Sequence, residues 1–144
     1  DIQQSAIDAA SERLTNSGLT ADFRLADHAS ELECLKSSGL VAKVVMFNLG
    51  YLPGSDKQII TTGTSTQTAI HFACDLLSPG GAVTIIAYRG HAGGLEETLL
   101  VEQLIVELPV NQYETSRIEG NPGNTTSPVL FIVKKSNPGS VLCK

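Results

Sequence analysis

No stretch of this 144-residue chain comes near the ~20 consecutive apolar residues that a membrane helix requires, so none is expected to cross a bilayer. A secretory signal is missing as well: the opening DIQQSAIDAASERL is polar and helical in pattern, which points to an intracellular, cytoplasmic protein and leaves an organelle open if the source is eukaryotic. Cysteine is scarce. Cys34, Cys74 and Cys143 are odd in number and widely spaced, which suits reduced structural thiols better than a disulfide framework or a zinc site, and no metal is expected. Positive charge is short too. The formal net charge of -5 argues against broad electrostatic adhesion to nucleic acid or anionic membrane, while leaving room for an RNA partner bound through a local patch. Repeats, low-complexity tracts and inter-domain linkers are all lacking, so residues 1–144 read as one domain. What remains is 42% hydrophobic, enough for a single globular core.

Residues 2–18 carry Ile2, Ala6, Ala9, Ala10, Arg13 and Leu14 at helical spacing, and Gly18 supplies the stop. A short strand is expected over 21–26, then a helix over 29–38 closed by Gly39. Residues 44–47, VVMF, form an unbroken apolar run, the mark of a strand covered on both faces. The periodicity predicts a helix over 65–77 with Ala69, Phe72, Ala73, Leu76 and Leu77 inward, capped by Thr64 or Ser65 and broken at 78–81. A second apolar strand follows over 82–88, then a glycine-rich loop at 89–94 and a helix over 95–108. Strands over 112–119 and 129–135 close the chain as an antiparallel pair. Alternation of this kind predicts an α/β fold: a three-layer sandwich on a mostly parallel sheet with a C-terminal antiparallel hairpin. The chain enters a helix pattern at once from Asp1 with no strand ahead of it, so the sequence is expected to begin inside a domain.

In open α/β sheets the ligand crevice lies outside the carboxyl ends of the strands. The 44–47 run ends in Asn48, Leu49, Gly50 and Tyr51, which sets an amide and a phenol where chemistry would be. The plain alternative is a strand exit with a turn-forming Asn and a packed Tyr. His91 has the one side chain whose ordinary pKa lies near neutrality, which makes it a candidate proton acceptor, with Tyr88 beside it. Its plain alternative is a ring that hydrogen-bonds a backbone carbonyl. Asp27 can cap the 29–38 helix or bind a ligand, or both. Lys57 and Arg89 flank the crevice and could meet phosphate; the plain alternative is a pair of lone exposed cations with no specific partner. His71 lies within a helix and reads as structural.

Three blocks carry a resemblance. Residues 48–57, NLGYLPGSDK, are similar to the NLGYLPGGDK signature of the rRNA methylase family of bacteria and plants, S-adenosylmethionine-dependent enzymes associated with tRNA wobble-uridine modification. Thr64-Ser65-Thr66 with Ala69 agrees, and so does Leu77-Ser78-Pro79-Gly80-Gly81 leading to Tyr88-Arg89-Gly90-His91-Ala92-Gly93-Gly94-Leu95-Glu96-Glu97, where the family has YxGHxGGxEE. The opening Asp1-Ile2-Gln3 resembles the end of the family's second strand, and its first strand with the glycine-rich turn is missing. Residues 118–124 match the family's NQxNxPP stretch only loosely, and Thr125-Thr126 adds length.

The resemblance implies a Rossmann-like class I methyltransferase fold without its first βα unit and with S-adenosylmethionine as cofactor. Asp1 would bind the ribose hydroxyls with Gln3 beside it, and Asp27 and His28 the adenine. Asn48 and Gly50 would flank the cofactor's reactive end. It also implies RNA, specifically tRNA, as partner and the 5-aminomethyl group of a wobble uridine as acceptor. Asn48 and the Leu49 carbonyl would orient that amine, Tyr51 would stack on the base, His91 would take the proton, and Tyr88, Arg89 and Lys57 would meet substrate. Methylation of rRNA or of a small amine, and a catalytically silent partner-binding domain, stand as alternatives. A homodimer is left open.

Overall fold

The computed structural model describes residues 1–49 and 63–137. Helices α1 (Gln4–Asn16) and α2 (His28–Ser37) lead into strand β1 (Ala42–Leu49). Helix α3 (Gly63–Leu76), strand β2 (Leu77–Ala87), helix α4 (Gly94–Glu107) and strands β3 (Tyr113–Glu119) and β4 (Val129–Lys135) follow. The four strands form one sheet in the order β1-β2-β4-β3. β1 and β2 run parallel, whereas β2 with β4 and β3 with β4 run antiparallel. The sheet is therefore mixed rather than mostly parallel. The closing pair contributes two of its three seams because β4 inserts beside β2 instead of staying at the edge.

Alternation along the strands decides the packing. Val45, Phe47 and Leu49 of β1 pair with Val83, Ile85 and Ala87 of β2, and these with Val133, Phe131 and Val129 of β4. All nine side chains lie on one face, since a strand turns successive residues to opposite sides. Helices α3 and α4 cover that face with Ile70, Ala73, Cys74, Val101, Leu104 and Ile105, and α2 adds Leu32 at the margin. Phe131, Ile85, Val83 and Ile70 are wholly enclosed, each such side chain contributing about 1.5–3 kcal/mol of burial. On the opposite face Val44 and Met46 stay exposed, and α1 buries none of its residues. Phe72, expected inward, is only half-buried and lies under the Lys36 ammonium, while Ile70 and Cys74 take the core positions.

Two segments differ from expectation. Residues 21–26 form no strand of the sheet. They run extended beside the first residue, with the Ala26 amide donating to the Asp1 carbonyl at 3.0 Å and the Asp1 nitrogen donating to the Arg24 carbonyl at 3.2 Å. The 78–81 stretch does not separate helix from strand. Leu77 pairs with Ala42 and Ala82 with Val44, so residues 78–81 bulge opposite Lys43 inside β2. Glycine is required there: a Cβ on Gly81 would lie 2.9 Å from the carbonyl oxygens of both Lys43 and Ser78.

Candidate functional site

Helix α2 begins where the extended 21–26 segment ends, and Asp27 makes the junction. Its Oδ1 accepts the amides of Ala29 at 3.0 Å and Ser30 at 3.1 Å, a side-chain cap on the helix N-terminus. Its Oδ2 accepts the Ser65 hydroxyl at 3.2 Å, which ties α2 to the first turn of α3. The Ser30 amide foremost, helped by the Ser65 hydroxyl and by His28, holds the Asp27 carboxyl below its ordinary value, against a smaller opposing effect of burial. His28 stands with its ring edge-on to Phe47, and its Nε2 lies 3.5 Å from the Ser65 hydroxyl.

These groups border a cleft of about 800 Å³ that opens beside the carboxyl half of β1. Asp1, Gln3, Asp27, His28 and Asn48 all line it, with Ile2, Leu32, Met46 and Phe47 as its apolar walls. Residues far apart in the chain thus meet around one space. Asp1 is exposed, and its Oδ1 accepts the Gln3 amide at 2.8 Å, which fixes the carboxylate's direction. Four carboxylates (Asp1, Asp22, Asp27 and Glu31), the Arg24 guanidinium, an imidazole and two amides on apolar walls suit a polar, nucleoside-sized ligand.

The next loop leaves the neighbouring strand. Leu49 pairs with Ala87, so β1 and β2 end side by side in one row, and their exits adjoin. Asn48 is exposed at the end of β1 and the Leu49 side chain is buried in the core. Gly50, Tyr51 and Lys57, expected at this exit, lie outside the described residues, as do Cys143 and the side chain of Thr64. Tyr88 is exposed at the end of β2. His91 does not line the cleft. Its Nδ1 lies 3.0 Å from the Ala92 carbonyl oxygen, and the ring packs against the start of α4. A Cβ on Gly94 would stand 2.2 Å from the Tyr88 carbonyl oxygen and 3.0 Å from His91 Nε2, so only glycine fits this turn.

Arg89 was expected to face RNA phosphate, and the structure corrects this. Its side chain is only 10% exposed and its guanidinium is already engaged. Nε donates to the Ser127 carbonyl at 2.7 Å, Nη2 to the Asn124 carbonyl at 3.3 Å, and Nη1 lies 3.6 Å from Glu119 Oε1. Glu119 also takes Arg117, whose hydrogen bond is the main cause of a carboxyl held below its ordinary range.

A family model described as "Putative rRNA methylase" matches residues 1–134. The chain belongs to this rRNA methylase family. A curated relative, the chloroplastic tRNA (mnm(5)s(2)U34)-methyltransferase of Arabidopsis thaliana, is 32% identical over 150 residues. That alignment takes in 95% of this chain and 52% of the relative, so the chain spans about half the relative's length. A "putative rRNA-methylase" structure from Clostridium thermocellum matches 94% of this chain and 72% of its own, at TM-score 0.85 and 29% identity. A "putative methyltransferase" of Streptococcus mutans, solved in complex with SAH, matches 94% and 73%, at TM-score 0.81 and 26% identity. The α/β fold is that of the Rossmann-like class I methyltransferases.

Within this rRNA methylase domain the structure adds two residues that sequence reasoning missed. Glu97, in the first turn of α4, turns inward and accepts the buried Thr66 hydroxyl at 3.0 Å. That bond joins the first turns of α3 and α4, the two helices that follow the strand exits. Ser65, read as a cap for α3, instead serves Asp27 and His28.

Proposed function

We propose that this domain is an S-adenosylmethionine-dependent methyltransferase acting on RNA, and that its reaction is N-methylation of the 5-aminomethyl group of a tRNA wobble uridine. One observation carries the reading: Asp1, Gln3, Asp27, His28 and Asn48, separated by up to 47 positions, border a single cleft at the carboxyl end of a parallel strand in a chain with the family's sequence blocks. The name of the plant relative and the SAH held by the bacterial structure support the acceptor and the cofactor respectively.

The cleft's chemistry fits the cofactor. The Asp1 carboxylate can accept both ribose hydroxyls with Gln3 alongside, while Asp27 Oδ2 and His28 offer polar partners to an adenine lying against Phe47 and Leu32. When bound, S-adenosylmethionine supplies a methyl group on a positively charged sulfur. The protein's task is then alignment, because direct displacement needs nucleophile, methyl and sulfur in line. Asn48, exposed at the strand end, accepts a hydrogen bond from the acceptor amine through its side-chain oxygen. The Leu49 carbonyl takes a second, and Tyr51 stacks on the base. For His91 the geometry favours bracing of the 88–94 turn over proton abstraction, since Nδ1 faces the Ala92 carbonyl and Nε2 is buried against Gly94.

Turnover on a tRNA carrying 5-aminomethyl-uridine tests the reading. Asn48→Ala should cut kcat/KM by roughly 10- to 100-fold, the loss of one hydrogen bond to a polar reacting group, with stability unchanged within about 0.5 kcal/mol at so exposed a position. Unchanged turnover in that variant would remove Asn48 from the amine site. Activity on rRNA or on small amines alone would redirect the substrate assignment.

A further inference from the structure

We infer that the 120–128 loop is a wall of the substrate site that reads nucleotides flanking the target base, and that Arg89 is the positioning residue that holds it there. The inference rests on the RNA-methyltransferase reading and names a recognition element for that same site.

The sheet register sets the loop's place. Leu49 pairs with Ala87, Ala87 with Val129, and Val129 with Glu119, one row across all four strands. Because β3 and β4 run antiparallel to each other, the loop joining them emerges from that row. With strands about 4.8 Å apart, its two ends stand roughly 10–15 Å from the end of β1. The Asn48 exit, the 88–93 turn and this loop therefore share one rim.

Arg89 welds the second to the third. Burying a guanidinium is costly unless its donors are satisfied, and here they reach backbone carbonyls 35 and 38 residues away together with Glu119. Next to it, a Cβ on Gly90 would meet the Thr126 carbonyl oxygen at an ordinary 3.6 Å, so the two segments lie in contact. The loop's own shape is set as well: Asn124 Oδ1 accepts the Thr126 amide at 3.0 Å and its hydroxyl at 2.8 Å. These bonds leave the exposed side chains of Asn121 and Thr125 at the tip. Residues 120–128, GNPGNTTSP, carry no charge. A segment of amides and hydroxyls without charge offers donors and acceptors to the edges of unstacked bases, the usual targets of sequence-specific RNA recognition.

The experiment compares two acceptors in the native protein with S-adenosylmethionine: an anticodon stem-loop containing 5-aminomethyl-uridine, and the free 5-aminomethyl-uridine nucleoside. Asn121→Ala combined with Thr125→Ala, exposed changes that spare the fold, should raise KM for the stem-loop roughly tenfold and leave kcat and the nucleoside's KM near wild type. Arg89→Met should do the same, and Arg89→Lys should recover part of the loss by donating to one carbonyl. Equal effects on stem-loop and nucleoside, or a stem-loop KM unmoved by the tip variant, would overturn the inference while leaving the proposed reaction standing. A wild-type protein that methylates neither acceptor would overturn both.

Discussion

Replacing Asp27 separates its two proposed duties. Asp27→Ala removes the acceptor of the Ala29 and Ser30 amides and of the Ser65 hydroxyl. Loss of a side-chain N-cap costs about 0.5–2 kcal/mol, and loss of a negative charge at a helix N-terminus a few tenths more. The alanine variant should therefore be about 1–2 kcal/mol less stable at pH 7, a fall of several degrees in Tm for a domain of this size. Asp27→Asn keeps a competent cap and should lose less than about 1 kcal/mol. Acid behaviour gives a second check. The native carboxyl is held below its ordinary 3.8, so its contribution is complete above about pH 4 and fades as pH falls further through the native value. The deficit of the alanine variant should accordingly narrow only in that acidic range. For the cofactor, Asp27→Asn exchanges part of a carboxylate for an amide donor and should weaken S-adenosylmethionine binding by roughly 10- to 100-fold in calorimetric titration. Wild-type affinity in the asparagine variant would reduce Asp27 to a cap. Wild-type stability in the alanine variant, measured by urea unfolding, would refute the cap itself.

Other expectations follow from buried groups. Thr66→Val strips the buried Glu97 carboxylate of its hydroxyl partner and should cost about 1–3 kcal/mol in urea unfolding, with Glu97→Gln in the valine background recovering part. A neutral single variant would show that water reaches the pair. His91→Gln should lower activity without changing the shape of the pH–rate profile, whereas loss of the acidic limb would reinstate the imidazole as base. Burial pushes the Cys74 thiol up to about 12, while Cys34 is exposed. Iodoacetamide at pH 8 should therefore label the Cys34 peptide quickly and the Cys74 peptide only after denaturation. Comparable rates in the folded protein would show that the core opens between α3 and the sheet.

Element type was readable wherever apolar spacing was regular. The runs at 44–47 and 82–88 announced strands, and Gly18 and Gly39 marked helix ends, both with φ values in the left-handed region that favours glycine. Gly80 and Gly81, by contrast, looked like a helix stop because the same residues that end helices also permit a bulge within a strand. The 21–26 stretch alternates as a strand does, yet a strand exists only with a ladder partner, and no strand pairing among the described residues involves it. Arg89 was misjudged for a related reason. A cation beside glycines reads as a free charge until the hairpin loop 35 residues downstream folds onto it.

From the order of its amino acids alone, the chain specified its family and the nature of its strands and helices. Those are local properties: apolar period, capping chemistry and short contiguous blocks. Only the tertiary structure decided the mixed strand order, the inward turn of Glu97 onto Thr66, and the engagement of Arg89 by the 120–128 loop. Each depends on which strand pairs with which, and pairing across more than thirty residues is settled by the packing of the whole sheet rather than by any window of sequence.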